Sequence, residues 1–224
     1  MKKFIILACA VIIACCSCGE NKSDSSSAEN KNALVSDNMG KNVNVNAEDM
    51  PFGATMTDLY ADTDKVPISI SYENRFMTEE EAKKISDYIS ALNTCNVELM
   101  QNTCYPTYLD YLVEQYENTD VQDYLDERHK TIKNNYTNGD FNFDYIIINS
   151  LMDENDSDSD TGFSILDAKI HEGSPEAEIT SRKMIGIDVL YTLDGDNGSY
   201  SFSARNGSDM ILYIYTIDGQ IYIL

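Results

Sequence analysis

The stretch ILYIYTIDGQIYIL, residues 211–224, decides the fold. Two runs of β-branched and aromatic residues flank Asp218-Gly219, and that dipeptide is a tight-hairpin signal. A strand over Met210 to Ile217, a short turn and a closing strand through Ile221-Tyr222-Ile223-Leu224 follow from it.

Working back from this hairpin, the chain keeps a two-residue period as far as Gly139. Phe141 to Leu151 reads as a strand, Phe163 to Ile170 as a second and Thr180 to Leu193 as a long third. Ser199 to Ala204 and Met210 to Ile217 read as one strand interrupted at Arg205-Asn206-Gly207-Ser208.

Ahead of Gly139 the apolar residues recur at helical spacing instead. Thr78-Glu79-Glu80-Glu81 is a capping box, in which the Thr hydroxyl accepts from a free N–H while Glu81 reaches back. Ala82, Ile85, Ile89 and Leu92 follow it, so a helix is predicted over Glu79 to Asn93. A second helix from Val97 breaks near Cys104-Tyr105-Pro106 and resumes through Leu109, Leu112 and Val113, because proline lacks the donor and crowds the preceding turn. Thr119-Asp120-Val121-Gln122 opens a third, to about Tyr136, with Val121, Leu125, Arg128 or His129, and Ile132 inward and Asn138-Gly139 at its end. Val66 to Tyr72 alternates like a strand, with Pro67 at its start or edge. Helices first and long strands afterwards give an α+β class, with N-terminal helices packed on a curved antiparallel sheet.

The N-terminus has another character. Lys2-Lys3 precedes an apolar run of 11 residues, Phe4 to Ala14, too short for the roughly 20 that span a bilayer. It fits a signal peptide, 1–14, outside the fold. Ile12-Ile13-Ala14-Cys15 resembles the bacterial lipobox, which implies that Cys15 carries diacylglycerol and begins the mature chain. Cys18, followed by Gly19 and a polar run, is the alternative, and Cys16 is a poorer match than either. Residues 15–50 then form a lipidated cysteine and a Ser-, Asn- and Asp-rich tether that lacks the apolar surface to fold. As a flexible coil it holds the domain on the order of 30 Å from the membrane. The expected address is the outer face of the cytoplasmic membrane, with an outer membrane as the other possibility, and residues 51–224 form the exported domain.

Across the chain, 38 Asp+Glu outnumber 16 Lys+Arg, for a formal charge of −22. That field repels phosphate backbones and anionic headgroups, which argues against nucleic acid and against polybasic membrane docking. Solubility of an exported protein accounts for the acidity without a specific cationic partner.

The order of a capped helix, the break at LNTCNVELMQNTCYPTYLDYL (residues 92–112), a further helix and the terminal strands resembles the NTF2-like (cystatin-like) fold over about Met77 to Leu224. The resemblance implies a conical cavity between sheet and helices and no particular activity. It departs from the usual pattern in having Ile221 where a tryptophan is common, and the chain contains no Trp at all.

Three constellations could carry chemistry. Cys95 and Cys104 would stand about 13.5 Å apart on one unbroken helix, too far for a disulfide. A bridge therefore needs the chain to turn between them, which Asn93, Asn96 and the restart at Val97 allow. An oxidising compartment favours the bridge, and two buried free thiols are the alternative. Asp156, Asp158, Asp160 and Asp167 fall at positions 1, 3, 5 and 12 of a calcium loop, yet Gly162 comes one place late and strands are expected on both sides. A solvated Asp-Ser hairpin loop reads the same way. Calcium is the one cofactor suggested. Tyr108, Tyr111, Tyr124, His129 and Tyr145, with Asp144, are the candidate pocket groups, although 15 tyrosines at helix and strand spacing also suit core and rim positions.

No nucleophile elbow, phosphate-binding glycine loop or paired-acid motif occurs, so a non-enzymatic tethered protein that binds a small ligand, an envelope component or an exported partner is expected. The alternatives are an envelope-side enzyme using cavity Asp, Tyr or His, and a purely structural assembly module.

Overall fold

A computed structural model describes residues 66–153 and 160–224, together with Phe52 and the backbone of 60–63. Cys15, Cys18, the signal peptide and the tether lie outside the described residues, as do Asp156 and Asp158.

The chain runs β1 (Tyr60–Thr63), β2 (Ser69–Glu73), α1 (Glu79–Thr94), α2 (Val97–Thr103), α3 (Pro106–Gln115), α4 (Val121–Thr131), β3 (Phe141–Asp153), α5 (Asp160–Gly173), β4 (Ile179–Leu193), β5 (Ser199–Ser201), α6 (Phe202–Asn206), β6 (Met210–Ile217) and β7 (Gln220–Ile223). Helix α4 continues into a wider π turn over Ile132–Thr137. The class is α+β, as the residue pattern implies.

Local signals set many of these boundaries. Thr78 and Glu81 form the expected reciprocal cap of α1. The Glu81 carboxylate goes further than the sequence implies, because its second oxygen accepts from Lys183 Nζ of β4 at 2.7 Å. Helix α1 ends at Cys95 in the left-handed conformation, and Asn96 caps α2 through Leu99 N. Pro106 is the first residue of α3, where its missing N–H costs nothing. In the closing hairpin Asp218 and Gly219 both have positive φ, 51° and 74°, as a type I′ turn requires.

The strand order is β1-β2-β3-β4-β6-β7, with β5 also on β4. The sheet is mixed rather than wholly antiparallel, since β2 pairs parallel to β3. Four helices separate these two strands and supply the long crossover that a parallel pair needs. β4 is long enough to serve two neighbours on one edge, β6 along Ile179–Ile187 and β5 along Leu190–Thr192.

Helices cover both faces of the sheet, where a single helical layer was expected. On one face Ala82, Ile85 and Ile89 of α1 pack against Ile146, Ile187 and Ile214. On the other, Phe163, Leu166 and Ile170 of α5 pack against Tyr215 and Ile217. β6 supplies both clusters because alternate residues of a strand point to opposite faces.

Helix α5 replaces the strand expected over Phe163 to Ile170. Its buried residues fall at spacings of three and four, whereas Ile165, which a two-residue period would bury beside Phe163, is 53% exposed. The expected strand over Ser199 to Ala204 stops at Ser201, whose hydroxyl accepts from Ala204 N and starts α6. The cap of α4 is Asp120 rather than Thr119: Asp120 accepts from Asp123 N, and Asp123 accepts from Thr119 N. Arg128 and His129 are both half-buried, Arg128 with its guanidinium 3.9 Å from the Tyr116 ring centroid and His129 stacked on Phe141.

Candidate functional site

The candidate site lies where α3 meets α5 on the outer surface. Gly173 lets the two helices approach closely, since a Cβ there would stand 2.8 Å from Thr107 Cβ. Four residues earlier in α5 and four later in α3, the Lys169 ammonium sits 4.7 Å from the Tyr111 ring centroid. These two contacts make the helices antiparallel and align one face of each. Beside the seam is a groove of about 590 Å³, lined by Thr107, Tyr111, Glu114, Glu117, Lys169 and Glu172 among others.

The groove is polar and acidic. Lys169 Nζ donates to Glu172 Oε2 at 2.8 Å, and that bond holds the Glu172 carboxyl below its usual range. The Tyr111 hydroxyl donates to Gln115 Oε1 at 3.2 Å. Tyr108 stacks near Tyr111 with centroids 5.9 Å apart, and burial pushes the Tyr108 phenol well above its ordinary value.

Of the five aromatic residues expected in a pocket, Tyr108 and Tyr111 are thus brought together, and Tyr111 lines the groove. Tyr124 is buried in the α1-side core with its ring 5.8 Å from that of Tyr116, and burial raises its phenol pKa. His129 stands on the same side, its Nδ1 3.2 Å from Leu92 O. Tyr145 belongs to the alternation of β3 that points away from Ile146 and Ile148, so the five do not share one cavity. Asp144 is exposed and accepts from Asn142 Nδ2.

The expected bridge is not formed, and Cys95 and Cys104 are free thiols. The chain does turn between them, but Cys104 Sγ lies 3.2 Å from Met100 Sδ in the core while Cys95 Sγ faces Leu125 O. Burial pushes the Cys104 thiol up to about 12 and also raises that of Cys95.

The calcium spacing meets a different obstacle. Asp160 and Asp167 lie on one helix, two turns apart, and not on a loop that wraps an ion. Both Asp167 oxygens are engaged, Oδ1 by the Tyr215 hydroxyl at 3.0 Å and Oδ2 by the Arg182 guanidinium. Among the described residues no group of three or more His, Cys, Asp or Glu side chains is placed to hold a metal ion.

Sequence reasoning missed Glu114, Glu117, Lys169 and Glu172. The i,i+3 pair Lys169–Glu172 is readable only once α5 is known to be a helix. No described helix is long and apolar enough to cross a membrane. No protein-family profile, no curated protein and no solved structure matches this chain.

Proposed function

We propose that this protein is an exported lipoprotein, anchored through Cys15, that works without catalysis by docking a partner protein in the groove between α3 and α5. The observation that carries the docking reading is the groove itself, about 590 Å³ in volume and lined by Tyr111 and by ionic side chains of both helices. The side chains between α1 and the sheet support an outer contact over an inner one, because Ile85, Ile89, Ile146, Ile187 and Ile214 there are fully buried against one another. Anchor and tether rest on the basic head, apolar run, Ala14-Cys15 junction and polar segment of the sequence. The NTF2-like relationship belongs to the same proposal, supported by helices α1–α4 that precede the antiparallel strands β3, β4, β6 and β7.

A photo-crosslinking residue placed at Gln115, in the groove, and separately at the exposed Asn134 tests the docking surface in intact cells. A discrete adduct from position 115 and none from 134 is expected. Equal adducts from both positions, or none from 115, would remove the groove as the contact.

A further inference from the structure

We infer that the partner presents a basic segment, and that its lysine or arginine side chains enter the α3–α5 groove among Glu114, Glu117 and Glu172 and against Tyr111. This deepens the docking reading and rests on it.

Three observations converge on a cationic occupant. First, three carboxylates line the groove against one ammonium, which leaves a net negative lining that favours a positive group. Second, α3 ends at Gln115 and α5 at Gly173, and both end residues line the groove. A helix C-terminus carries a partial negative charge that favours cations, yet the last turn of α3 holds no basic residue. Third, the groove already holds one alkylammonium: Lys169 lies over the Tyr111 ring and bonds to Glu172. Ring face plus carboxylate is the arrangement that receives a lysine or arginine head. The net charge of −22 adds a long-range field that steers a basic partner and repels nucleic acid and anionic lipid.

A peptide segment suits this shape better than a single ion. Thr107 and Glu117 lie ten residues apart along α3 and its C-terminal turn, about 15 Å at 1.5 Å per residue. An extended chain advances about 3.3 Å per residue, so four or five residues span that length.

The test is titration of the full-length protein in uncharged detergent with an oligolysine peptide, with oligoglutamate and spermine as the other arms. Saturable binding to oligolysine that weakens with salt is expected, and the Glu114→Gln/Glu117→Gln double variant should weaken it about tenfold. Tyr111→Leu should weaken it further. The charge-matched control Asp144→Asn/Asp194→Asn, on exposed residues outside the groove, should leave it within about twofold. The four carboxylates are exposed and Tyr111 is half-buried, and an unchanged far-UV spectrum checks that the fold is intact.

Absence of oligolysine binding, or equal weakening by the control variant, would overturn the inference. Equal potency of spermine per charge would also overturn it, by assigning the groove to small polyamines. A crosslinked adduct at position 115 combined with failure of oligolysine leaves the docking groove in place and removes only its cationic specificity. No adduct at position 115 removes the groove reading itself.

Discussion

The Asp188 carboxylate accepts from Ser201 Oγ at 2.6 Å and, through its other oxygen, from Ser203 N at 2.8 Å. Asp188 sits on β4 where the neighbour on one edge changes from β5 to β6, an interval in which that edge has no partner strand while β3 pairs along the other. A buried carboxylate is tolerated there because both of its oxygens receive hydrogen bonds. It fixes the start of α6 and thereby the point at which the chain rejoins the sheet.

Replacing Asp188 by Ala should therefore cost about 2–3 kcal/mol, the scale of hydrogen bonds to a charged group. Urea unfolding measures the loss. Asp188→Asn keeps an acceptor and should cost less, with faster amide exchange at Ser203 and Ala204 as the local sign. Equal stability of Asp188→Ala and the parent would show that the β5–α6 corner is held by something else.

The α3–α5 seam gives a steric prediction. Gly173→Ala improves helix propensity, but its Cβ would meet Thr107 Cβ at 2.8 Å, and a Cβ cannot rotate away. Overpacking should win over propensity and lower stability by about 1–3 kcal/mol. A raised melting temperature would mean that the two helices do not approach this closely.

The thiols give a chemical prediction. Alkylation of the unreduced, denatured protein should label both Cys95 and Cys104, whereas a bridged pair would take up no label at either position. In the native protein Cys104, buried and pushed up to about 12, should resist labelling at pH 8. Its thiolate fraction there is on the order of one in 10⁴.

Alkaline pH should unfold the domain for the same reason. Burial raises the proton affinity of Cys104, Tyr108, Tyr124 and Tyr215 in the folded state, and Asp167 adds to the effect at Tyr215. Their contribution is complete below the unfolded values, about 8.5 for the thiol and 10 for the phenols. It is lost as pH rises through that range towards the raised folded values. Stability should be flat to about pH 8.5 and fall steeply above about pH 10, with tyrosine absorbance near 295 nm rising together with unfolding. Full tyrosine ionisation with the fold intact would contradict this.

The parts of the fold legible in the sequence are those whose cause is local. The Thr78–Glu81 cap, the Pro106 break and the Asp218-Gly219 turn each depend on four or fewer neighbouring residues, and each is found where expected. Helix α5 was not legible because FSILDAKI is rich in strand-forming residues, and Phe163 and Ile165 open it with a two-residue alternation although Phe163, Leu166 and Ile170 fit a period of 3.6. What decides for the helix is the far face of the sheet, where Tyr215 and Ile217 wait for the 163–166–170 stripe. The parallel β2–β3 pairing and the Asp188 cap are non-local in the same way. The groove stayed hidden as a result, since one of its walls is the helix that reads as a strand. Tyr111 alone of its lining was marked by sequence.

Intact mass of the protein purified from its own membranes tests most directly the claim on which the proposed role depends, that the chain is exported and held by an N-terminal lipid. Lipid anchoring predicts a chain that starts at Cys15 and carries the mass of a thioether-linked diacylglycerol, and Cys15→Ala should retain the signal peptide. A start at Cys18 would move the lipid three residues. An unmodified chain beginning at Met1 in the soluble fraction would contradict export and anchoring together.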